Sequence, residues 1–375
     1  MNNIKTVIGA TAAIALIIFL GGFFVWQNTN NITVTQVEPS AIESEEQVDT
    51  ISSEPSTELE ITEENLIDAI LAKDNTTIAQ LLDAGINPNL SDSTGDPILK
   101  SIILDKTSES IDIIALLIEH GADVNLPDRE GNALLPIAAR EGQVEVVQLL
   151  LDAGADVNGT ITASRFSNNW PVAEDSSALM EATVNNHIEI VELLLAHDAN
   201  VNHIEKTHNR TALHAAAHFN YAEIASLLIK SGADLNSRSI INDAGEAPLH
   251  WAARRGNSDA IEVLVNAGAN LDMQTTDRGL TPLMRALESD TNSVFIETIT
   301  FLLEGGADPN VQDNNGNTAL HYAARFGRDY AISPLIEHGA TLDLQNNDNQ
   351  TAYDIALAKN NSTAIQMLQE GSAGE

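Results

Sequence analysis

Five histidines lie close together in this 375-residue sequence, at His197, His203, His208, His214 and His218. Imidazole is the commonest metal ligand in proteins, and a pair at i and i+4, such as His214 and His218, can share a metal ion on one helix face. No Glu-x-x pattern accompanies the pair to complete a catalytic site. A metal-binding or hydrolytic domain built on residues 197–218 is therefore an alternative interpretation and not the favoured one.

The sequence also lacks the residues that other classes of catalytic site require. The chain has no cysteine, which excludes disulfides, thiolate nucleophiles and Cys-ligated zinc. No Gly-rich phosphate loop, nucleophile elbow or Ser/His/Asp arrangement stands out, and the frequent Asp-x-Asn pairs do not fit the twelve-residue calcium loop. We predict no enzymatic activity, no cofactor and no metal site.

The charged residues are strongly unbalanced. The sequence has 54 acidic and 18 basic side chains, a formal net charge of −36. Nucleic-acid binding needs an excess of Lys and Arg, so no nucleic-acid partner is predicted. Several scarce cations nevertheless follow Ala-Ala pairs directly, in the dipeptides Arg140-Glu141, His218-Phe219, Arg254-Arg255 and Arg325-Phe326. Solvated helix ends that complement the helix dipole are the alternative explanation.

The elements that position these residues form a repeat. The phrase Gly-Ala-Asp-Val-Asn and its variants begin at residues 85, 121, 154, 198, 232, 268, 306 and 339. A period near 33 residues indicates stacked supersecondary units. Within a unit, Asp313 to Gly316 has turn chemistry, Thr318 is a natural N-cap, and Gly327 ends the first helix. Apolar residues at helical spacing then predict a second helix, as at 144, 147, 150 and 151.

This pattern resembles the ankyrin repeat over about residues 62–371. The best-matching stretches are Thr211-Ala-Leu-His214-Ala-Ala-Ala, Ala247-Pro-Leu-His250-Trp-Ala-Ala and Thr318-Ala-Leu-His321-Tyr-Ala-Ala. The resemblance implies an all-α solenoid of about nine helix pairs with β-turn fingers, the first and last pairs acting as caps. It implies that His214, His250 and His321 bond their local turns. It also implies that the dipeptides after Ala-Ala face a concave, protein-binding groove.

One interval breaks the period. Gly154 and Asp198 are 44 residues apart, 11 more than 33, and the excess falls within residues 160–175. Insertions in solenoids often lie on the binding face, and aromatic and Arg residues are common interface anchors. Arg165, Phe166 and Trp170 in this insertion therefore join the predicted protein-binding set. The alternative is a loop whose Trp packs back on its own repeat.

The N-terminus has the composition of a membrane segment. Residues 7–26 contain no charged side chain, and about 20 apolar residues can span a hydrocarbon core of roughly 30 Å. Lys5 precedes the segment and no Lys or Arg follows it until Lys73, so the positive-inside rule places residues 1–6 in the cytoplasm. We predict a transmembrane helix over 7–26, a disordered acidic linker over 27–61 and the repeat domain over 62–375. A cleaved signal peptide is the alternative.

These features together predict a single-pass, membrane-tethered scaffold for protein–protein interactions, with its repeat domain outside the cytoplasm. We expect a bacterial protein held in the inner membrane by residues 7–26 and facing the periplasm. Similar periplasmic proteins are associated with peroxide protection or with antagonism of secreted toxins, and the sequence does not choose between these roles. A passive acidic spacer is a further alternative.

Overall fold

The computed structural model describes residues 18–20, 23–28, 31–35, 60–162, 165–167, 170–172, 174–240, 244–289 and 295–372. The chain divides into two compact units, Met1–Leu59 and Glu60–Glu375.

The described part of the first unit is a three-stranded antiparallel sheet of order β1-β2-β3. Its strands are β1 (Ile18–Leu20), β2 (Phe23–Asn28) and β3 (Asn31–Thr35), with Val25 opposite both Ile18 and Val34. Aromatic and β-branched residues dominate β2 and β3, and these residues favour extended backbone. The sequence predicted a helix over 7–26 instead, and the other residues of that segment lie outside the described ones.

Among the described residues, none of the helices combines the length and the apolar character needed to cross a membrane. Part of the segment predicted to be a disordered linker is in this sheet, because residues 27–28 and 31–35 belong to strands β2 and β3. Residues 36–59 of that linker lie outside the described part. The membrane anchor and the linker therefore stay predictions.

The second unit contains nine helix pairs in its described residues, the number predicted from the repeat. The first helix of each pair is called the inner helix: α1 (Glu63–Ala72), α3 (Ile98–Asp105), α5 (Leu134–Arg140), α7 (Ala178–Val184), α9 (Ala212–Phe219), α11 (Pro248–Arg255), α13 (Pro282–Glu288), α15 (Ala319–Phe326) and α17 (Ala352–Ala358). The second is the outer helix: α2 (Asn75–Asp83), α4 (Ser108–Glu119), α6 (Val144–Asp152), α8 (Ile188–Ala196), α10 (Ala222–Lys230), α12 (Ser258–Asn266), α14 (Phe295–Glu304), α16 (Asp329–Glu337) and α18 (Ser362–Ser372).

The pairs stack in sequence order, inner helix on inner helix and outer helix on outer helix. Small residues on the inner helices allow this close approach, and Ala252, Ala253, Ala323 and Ala324 are essentially fully buried. Leu and Ile from the outer helices complete one continuous apolar core. The low aromatic content of the sequence, 4%, agrees with a core built from small and aliphatic side chains.

The turns between repeats are joined by a ladder of side-chain hydrogen bonds. Oδ1 of Asn125 accepts from the backbone N–H of Asp156 at 2.8 Å, and Nδ2 of Asn125 donates to the carbonyl of Gly154 at 3.0 Å. The same two bonds recur from Asn202 and Asn310 to the repeats that follow them. We call this series the asparagine ladder. Because its atoms belong to successive repeats, it fixes their register as well as satisfying turn backbone.

The first junction of the stack contains a cleft between its two inner helices. A cleft of about 210 Å³ separates α1 from α3 and reaches α4. Apolar residues line it (Ile70, Leu71, Ile98, Ile102 and Ile113), with Lys73, Ser101, Asp105 and Ser110 at its polar side. Leu71 is 72% exposed there. The inner helices of the first two repeats therefore pack less completely than those further along.

Candidate functional site

The four dipeptides that follow Ala-Ala pairs lie at the last turns of inner helices α5, α9, α11 and α15. Arg140 and Phe326 are the last residues of their helices, and Glu141 follows as a C-cap. The surface formed by these helix ends is called the inner-helix face. The predicted dipeptides thus all lie at the C-terminal ends of inner helices. These helices are not all consecutive, because inner helix α7 lies between α5 and α9, and inner helix α13 lies between α11 and α15.

At one end of the inner-helix face, two cations share one carboxylate. Arg140 Nε donates to Glu141 Oε1 at 2.8 Å, and Lys106 Nζ lies 2.5 Å from Glu141 Oε2. These two cations hold the pKa of the Glu141 carboxyl below its usual range, against the effect of its burial. This end therefore presents an ion-paired cluster in place of a free cation.

At the other end, Phe326 is 37% exposed and stacks on Tyr322, with ring centroids 5.9 Å apart. Arg325 Nη2 donates to Asn317 Oδ1 at 3.1 Å. This end presents an aromatic edge next to a guanidinium held by a neutral acceptor.

The centre of the face is an aromatic and cationic cluster. Arg255 Nη2 donates to His218 Nε2 at 2.8 Å, and Arg254 Cζ lies 5.2 Å from the centroid of the Trp251 ring. Among the described residues, no carboxylate lies within ion-pair distance of Arg254 or Arg255, whereas Arg140, Arg210, Arg278 and Arg285 all have one. The other described arginines without a carboxylate donate to carbonyl or amide oxygens instead: Arg129, Arg238, Arg325 and Arg328. Burial and the charges of Arg255, Arg254 and Arg210 lower the pKa of His218 to about 3. His218 is therefore neutral and the local charge is positive.

The period-breaking insertion forms its own small structure. The base is a pair of two-residue strands, β4 (Thr160–Ile161) and β7 (Ser176–Ser177), and Thr160 Oγ1 donates to Asp175 Oδ1 at 2.9 Å. Between them, β5 (Arg165–Ser167) pairs antiparallel with β6 (Trp170–Val172). The insertion is thus a hairpin on a closed base.

The hairpin delivers Trp170 to the central cluster. Its ring centroid is 4.8 Å from His218, 5.5 Å from Phe219 and 5.2 Å from Trp251. Arg210 Cζ lies 4.2 Å from the same ring, in cation–π geometry.

Trp170 is 1% exposed, so its ring is not an accessible anchor as the sequence analysis proposed. The structure agrees with the alternative interpretation in that the Trp170 side chain packs into the solenoid. The aromatic partners of the ring lie on α9 and α11, which belong to the two following repeats. Arg165 and Phe166 are placed in β5, and their side chains lie outside the described part.

Sequence reasoning missed three contributors to this cluster: Glu205, Arg210 and Trp251. Arg210 Nε donates to the buried Glu205 carboxylate at 2.7 Å. Other turns use an Asp–Asn pair four residues apart at this place, as in Asp128 with Asn132. The replacement of that pair by Glu and Arg five residues apart was the available signal, together with a rare Trp directly after His250.

The histidine cluster does not converge on a common point. His214 Nδ1 accepts from the Thr211 N–H at 3.1 Å, as the resemblance implied, and Nε2 donates to the Glu246 carbonyl of the next repeat at 3.1 Å. Both ring nitrogens are therefore used by backbone groups. Across the described residues, no three His, Asp or Glu side chains are grouped to hold a metal ion.

Comparison with known proteins agrees with the geometry. A family model described as ankyrin repeats (three copies) matches residues 66–161, 163–239, 238–310 and 290–374. Together these segments cover nearly all of the second unit.

Several curated relatives match part of the chain. The ankyrin repeat and KH domain-containing protein mask-1 of Caenorhabditis elegans is 31% identical over 258 residues, which is 68% of this chain and 9% of that protein. The ankyrin repeat protein nuc-2 of Neurospora crassa is 32% identical over 54% of this chain and 17% of that protein. Human neurogenic locus notch homolog protein 2 is 32% identical over 45% of this chain and 6% of its own length. The chain spans less than a fifth of each of these relatives.

A solved structure shows the same fold. The ankyrin repeat domain of Bcl-3, a member of the IkappaB protein family, is matched over its whole length and 64% of this chain, with a TM-score of 0.53 and 24% identity. The repeat geometry, the stacked helix pairs and the matching family model lead to one conclusion: the chain belongs to the ankyrin-repeat family.

Proposed function

We propose that the chain is a protein-binding scaffold that captures its partner on the inner-helix face, with the central cluster as the main contact. One observation carries this proposal. In a chain of net charge −36, Arg254 and Arg255 stand side by side without a carboxylate within 4 Å among the described residues. Paired cations next to aromatic rings suit a partner that supplies negative charge.

Rigid stacking supports this function physically. A preformed surface does not have to be ordered when the partner arrives, so less binding free energy is lost to conformational entropy. Ankyrin-repeat proteins with this architecture bind other proteins, and catalysis would need residues that the repeat does not explain.

We propose further that residues 7–26 anchor the scaffold in a membrane, with the repeat domain outside the cytoplasm. The uncharged apolar composition of the segment and the single preceding Lys5 support this location. In a bacterium the domain would face the periplasm and serve either envelope stress protection or toxin antagonism. Alkaline extraction of membranes tests the anchor: the full chain should stay in the pellet, and a chain lacking residues 1–26 should be released.

Affinity capture from envelope extracts tests the binding function. The bait is the full chain, compared with the double variant Arg254→Gln/Arg255→Gln and with Lys230→Glu. Lys230 is exposed at the end of outer helix α10, and its substitution lowers the net charge by the same two units. The arginine variant should lose the captured protein while the lysine variant retains it. Equal capture by all three baits would contradict the proposal and favour a passive spacer.

A further inference from the structure

The central cluster already holds a ligand-like group, which is Trp170 of the same chain. Three aromatic rings, those of His218, Phe219 and Trp251, surround it at 4.8 to 5.5 Å between centroids. Arg210 contacts the Trp170 ring from the turn before α9. An indole enclosed in this way loses almost all contact with water, which makes this a complete aromatic pocket and not a flat surface.

The route by which Trp170 reaches this pocket is unusual for a core residue. It comes from a hairpin inserted between α6 and α7, yet it packs on α9 and α11. The inner helices of the other repeats stack without such an insertion. The hairpin is joined to the solenoid at its base, where β4 pairs with β7, and at the turn of the next repeat, where His203 Nε2 donates to the Asp175 carbonyl at 2.6 Å. The hairpin is therefore an addition to the repeat that is attached to the solenoid through these contacts and through Trp170.

The rim of the pocket is cationic and incompletely paired. Arg255 donates a hydrogen bond to a neutral His218, and Arg254 lies over the Trp251 ring. Neither guanidinium has a carboxylate within 4 Å in the part of the chain that the structure describes. Two adjacent guanidinium groups repel each other, and burial together with Arg254 lowers the pKa of Arg255. An incoming carboxylate would relieve this repulsion and gain charge-assisted hydrogen bonds.

We propose that Trp170 is an intramolecular occupant of the partner site, and that the partner is an acidic peptide segment carrying one aromatic side chain that displaces it. The aromatic side chain takes the place of the indole between Phe219 and Trp251. Flanking carboxylates pair with Arg254 and Arg255. This inference rests on the proposed function and adds to it the chemistry of the partner and a competing group within the chain.

Such an occupant weakens binding in a defined way. The partner can bind only the fraction of molecules in which Trp170 has left, so the apparent dissociation constant is the intrinsic one divided by that fraction. Removal of the occupant should therefore strengthen binding, although it deletes a residue of the site. A residue that merely contacts the partner would have the opposite effect.

The displacement can be observed directly in the native chain. The chain has three tryptophans, Trp26, Trp170 and Trp251, so incorporation of 5-fluorotryptophan gives three ¹⁹F resonances. Trp170→Phe identifies the one that belongs to Trp170. The probe is a pentapeptide with unlabelled Trp between two pairs of glutamates, added to the full chain in neutral detergent. We expect the Trp170 resonance to move to the position of a solvent-exposed indole, and a peptide with lysines in place of the glutamates to leave it unchanged.

Affinities of the same probe for three variants complete the test. Trp170→Ala should bind it about tenfold or more tightly than the native chain, and Arg254→Gln/Arg255→Gln about tenfold or more weakly. Ile296→Ala, at an exposed apolar residue of outer helix α14 and away from the inner-helix face, is the control and should not change the affinity. If Trp170→Ala fails to fold, the ¹⁹F measurement on the native chain decides.

Two results would overturn the inference: a Trp170 resonance that does not move at saturating probe, or a folded Trp170→Ala variant that binds no better than the native chain. The proposed function fails differently. If envelope capture still depends on Arg254 and Arg255 while Trp170 stays in place, the scaffold stands and the displacement is wrong. If capture is indifferent to the two arginines, the proposed function itself is wrong.

Discussion

Three buried histidines link successive repeats by hydrogen bonds, and we call them the histidine struts. In His214, His250 and His321 the Nδ1 atom accepts from a backbone N–H of the same turn, and Nε2 donates to a carbonyl of the next repeat. The first of these bonds could be predicted from the position of each His in its repeat. The second could not, because it depends on the register between neighbouring repeats, which a single sequence does not contain.

These struts make the stability depend on pH. Burial lowers the pKa of His250 to about 4, whereas an unfolded histidine titrates near 6.5. Between these values the unfolded state binds the additional proton, so the contribution of the neutral histidine is complete above about 6.5 and is lost as the pH falls toward 4. We expect His250→Ala to lower the free energy of unfolding by roughly 3 kcal/mol at pH 7.5, since the Leu280 carbonyl and the Ala247 N–H lose their partner. The deficit should shrink as the pH falls from 6.5 to 4.5.

Urea unfolding at several pH values measures both effects. His338→Ala is the control, because His338 is exposed at the end of α16, and it should change the free energy by less than about 0.5 kcal/mol at pH 7.5. A deficit for His250→Ala that does not vary with pH would contradict the linkage to histidine protonation.

One rung of the asparagine ladder is an aspartate. Asp272 Oδ1 accepts from the Asp308 N–H at 2.8 Å, but an ionised carboxylate cannot donate to the next repeat as Asn202 does. Burial and the neighbouring charge of Asp308 raise the pKa of Asp272 above its usual range. The folded state therefore favours the protonated form, and this site opposes folding at neutral pH.

Replacement of this aspartate by the ladder's usual residue should stabilise the protein. We expect Asp272→Asn to raise the free energy of unfolding by about 1 kcal/mol at pH 7, the usual worth of one added hydrogen bond. The gain should diminish as the pH falls through the raised pKa, since the native aspartate then becomes neutral as well. Asp234→Asn removes the same charge at a turn whose ladder residue is already Asn202, and should give no gain. Equal gains for both variants would indicate a general effect of net charge.

At the scale of single elements, α16 contains a proline in its interior. Pro334 is the sixth residue of Asp329–Glu337 and has no N–H to donate to the Tyr330 carbonyl. We expect Pro334→Ala to raise the free energy of unfolding by roughly 1–2 kcal/mol, with part of the helix gain offset because the unfolded chain becomes more flexible. Ser333→Ala, at the exposed neighbouring position, should change it by less than about 0.5 kcal/mol. Thermal unfolding of the two variants side by side decides this, and a lower melting temperature for Pro334→Ala would show that the proline fits its site.

The hairpin shows how far an element could be predicted. Its location followed from counting, since 11 surplus residues had to leave the repeat between Gly154 and Asp198. Its destination did not follow, because Trp170 meets α9 and α11 through contacts distant in sequence. Likewise, the apolar run at 7–26 predicted a helix from hydropathy alone, whereas its described residues Ile18–Leu20 and Phe23–Trp26 are in strands.

At the scale of the whole molecule, the architecture was predictable because it repeats. Nine helix pairs follow from one recurring phrase, and local signals such as the turn glycines recur in most copies, with Ala-Ala pairs in α5, α9, α11 and α15. The groove chemistry was less predictable. It depends on which of the repeated positions carry unusual residues, and on buried partners such as Glu205 and Arg210 that only the folded structure brings together.

The net charge of −36 also has a global consequence. Most of it is distributed over the exterior, where like charges repel each other in the folded state more than in the expanded chain. Raising sodium chloride from about 10 mM to about 300 mM shortens the screening length several-fold, so we expect the melting temperature to rise by a few degrees. The experiment uses sodium chloride and not a sulfate salt, because sulfate stabilises proteins by a separate effect, its exclusion from their surfaces. A flat or falling melting temperature would mean that surface ion pairs outweigh the repulsion.

The open cleft at the first junction bears on how the array responds to force. Helix pairs that contact only their neighbours carry a pull along the array in series, so the same tension acts on every junction. We expect extension to begin between α1 and α3, where the cleft reduces the packing between the two inner helices. The junctions held by histidine struts, after α9, α11 and α15, should keep their spacing until that one has yielded. We therefore expect the N-terminal junction of the array to extend at a lower force than the junctions that carry histidine struts.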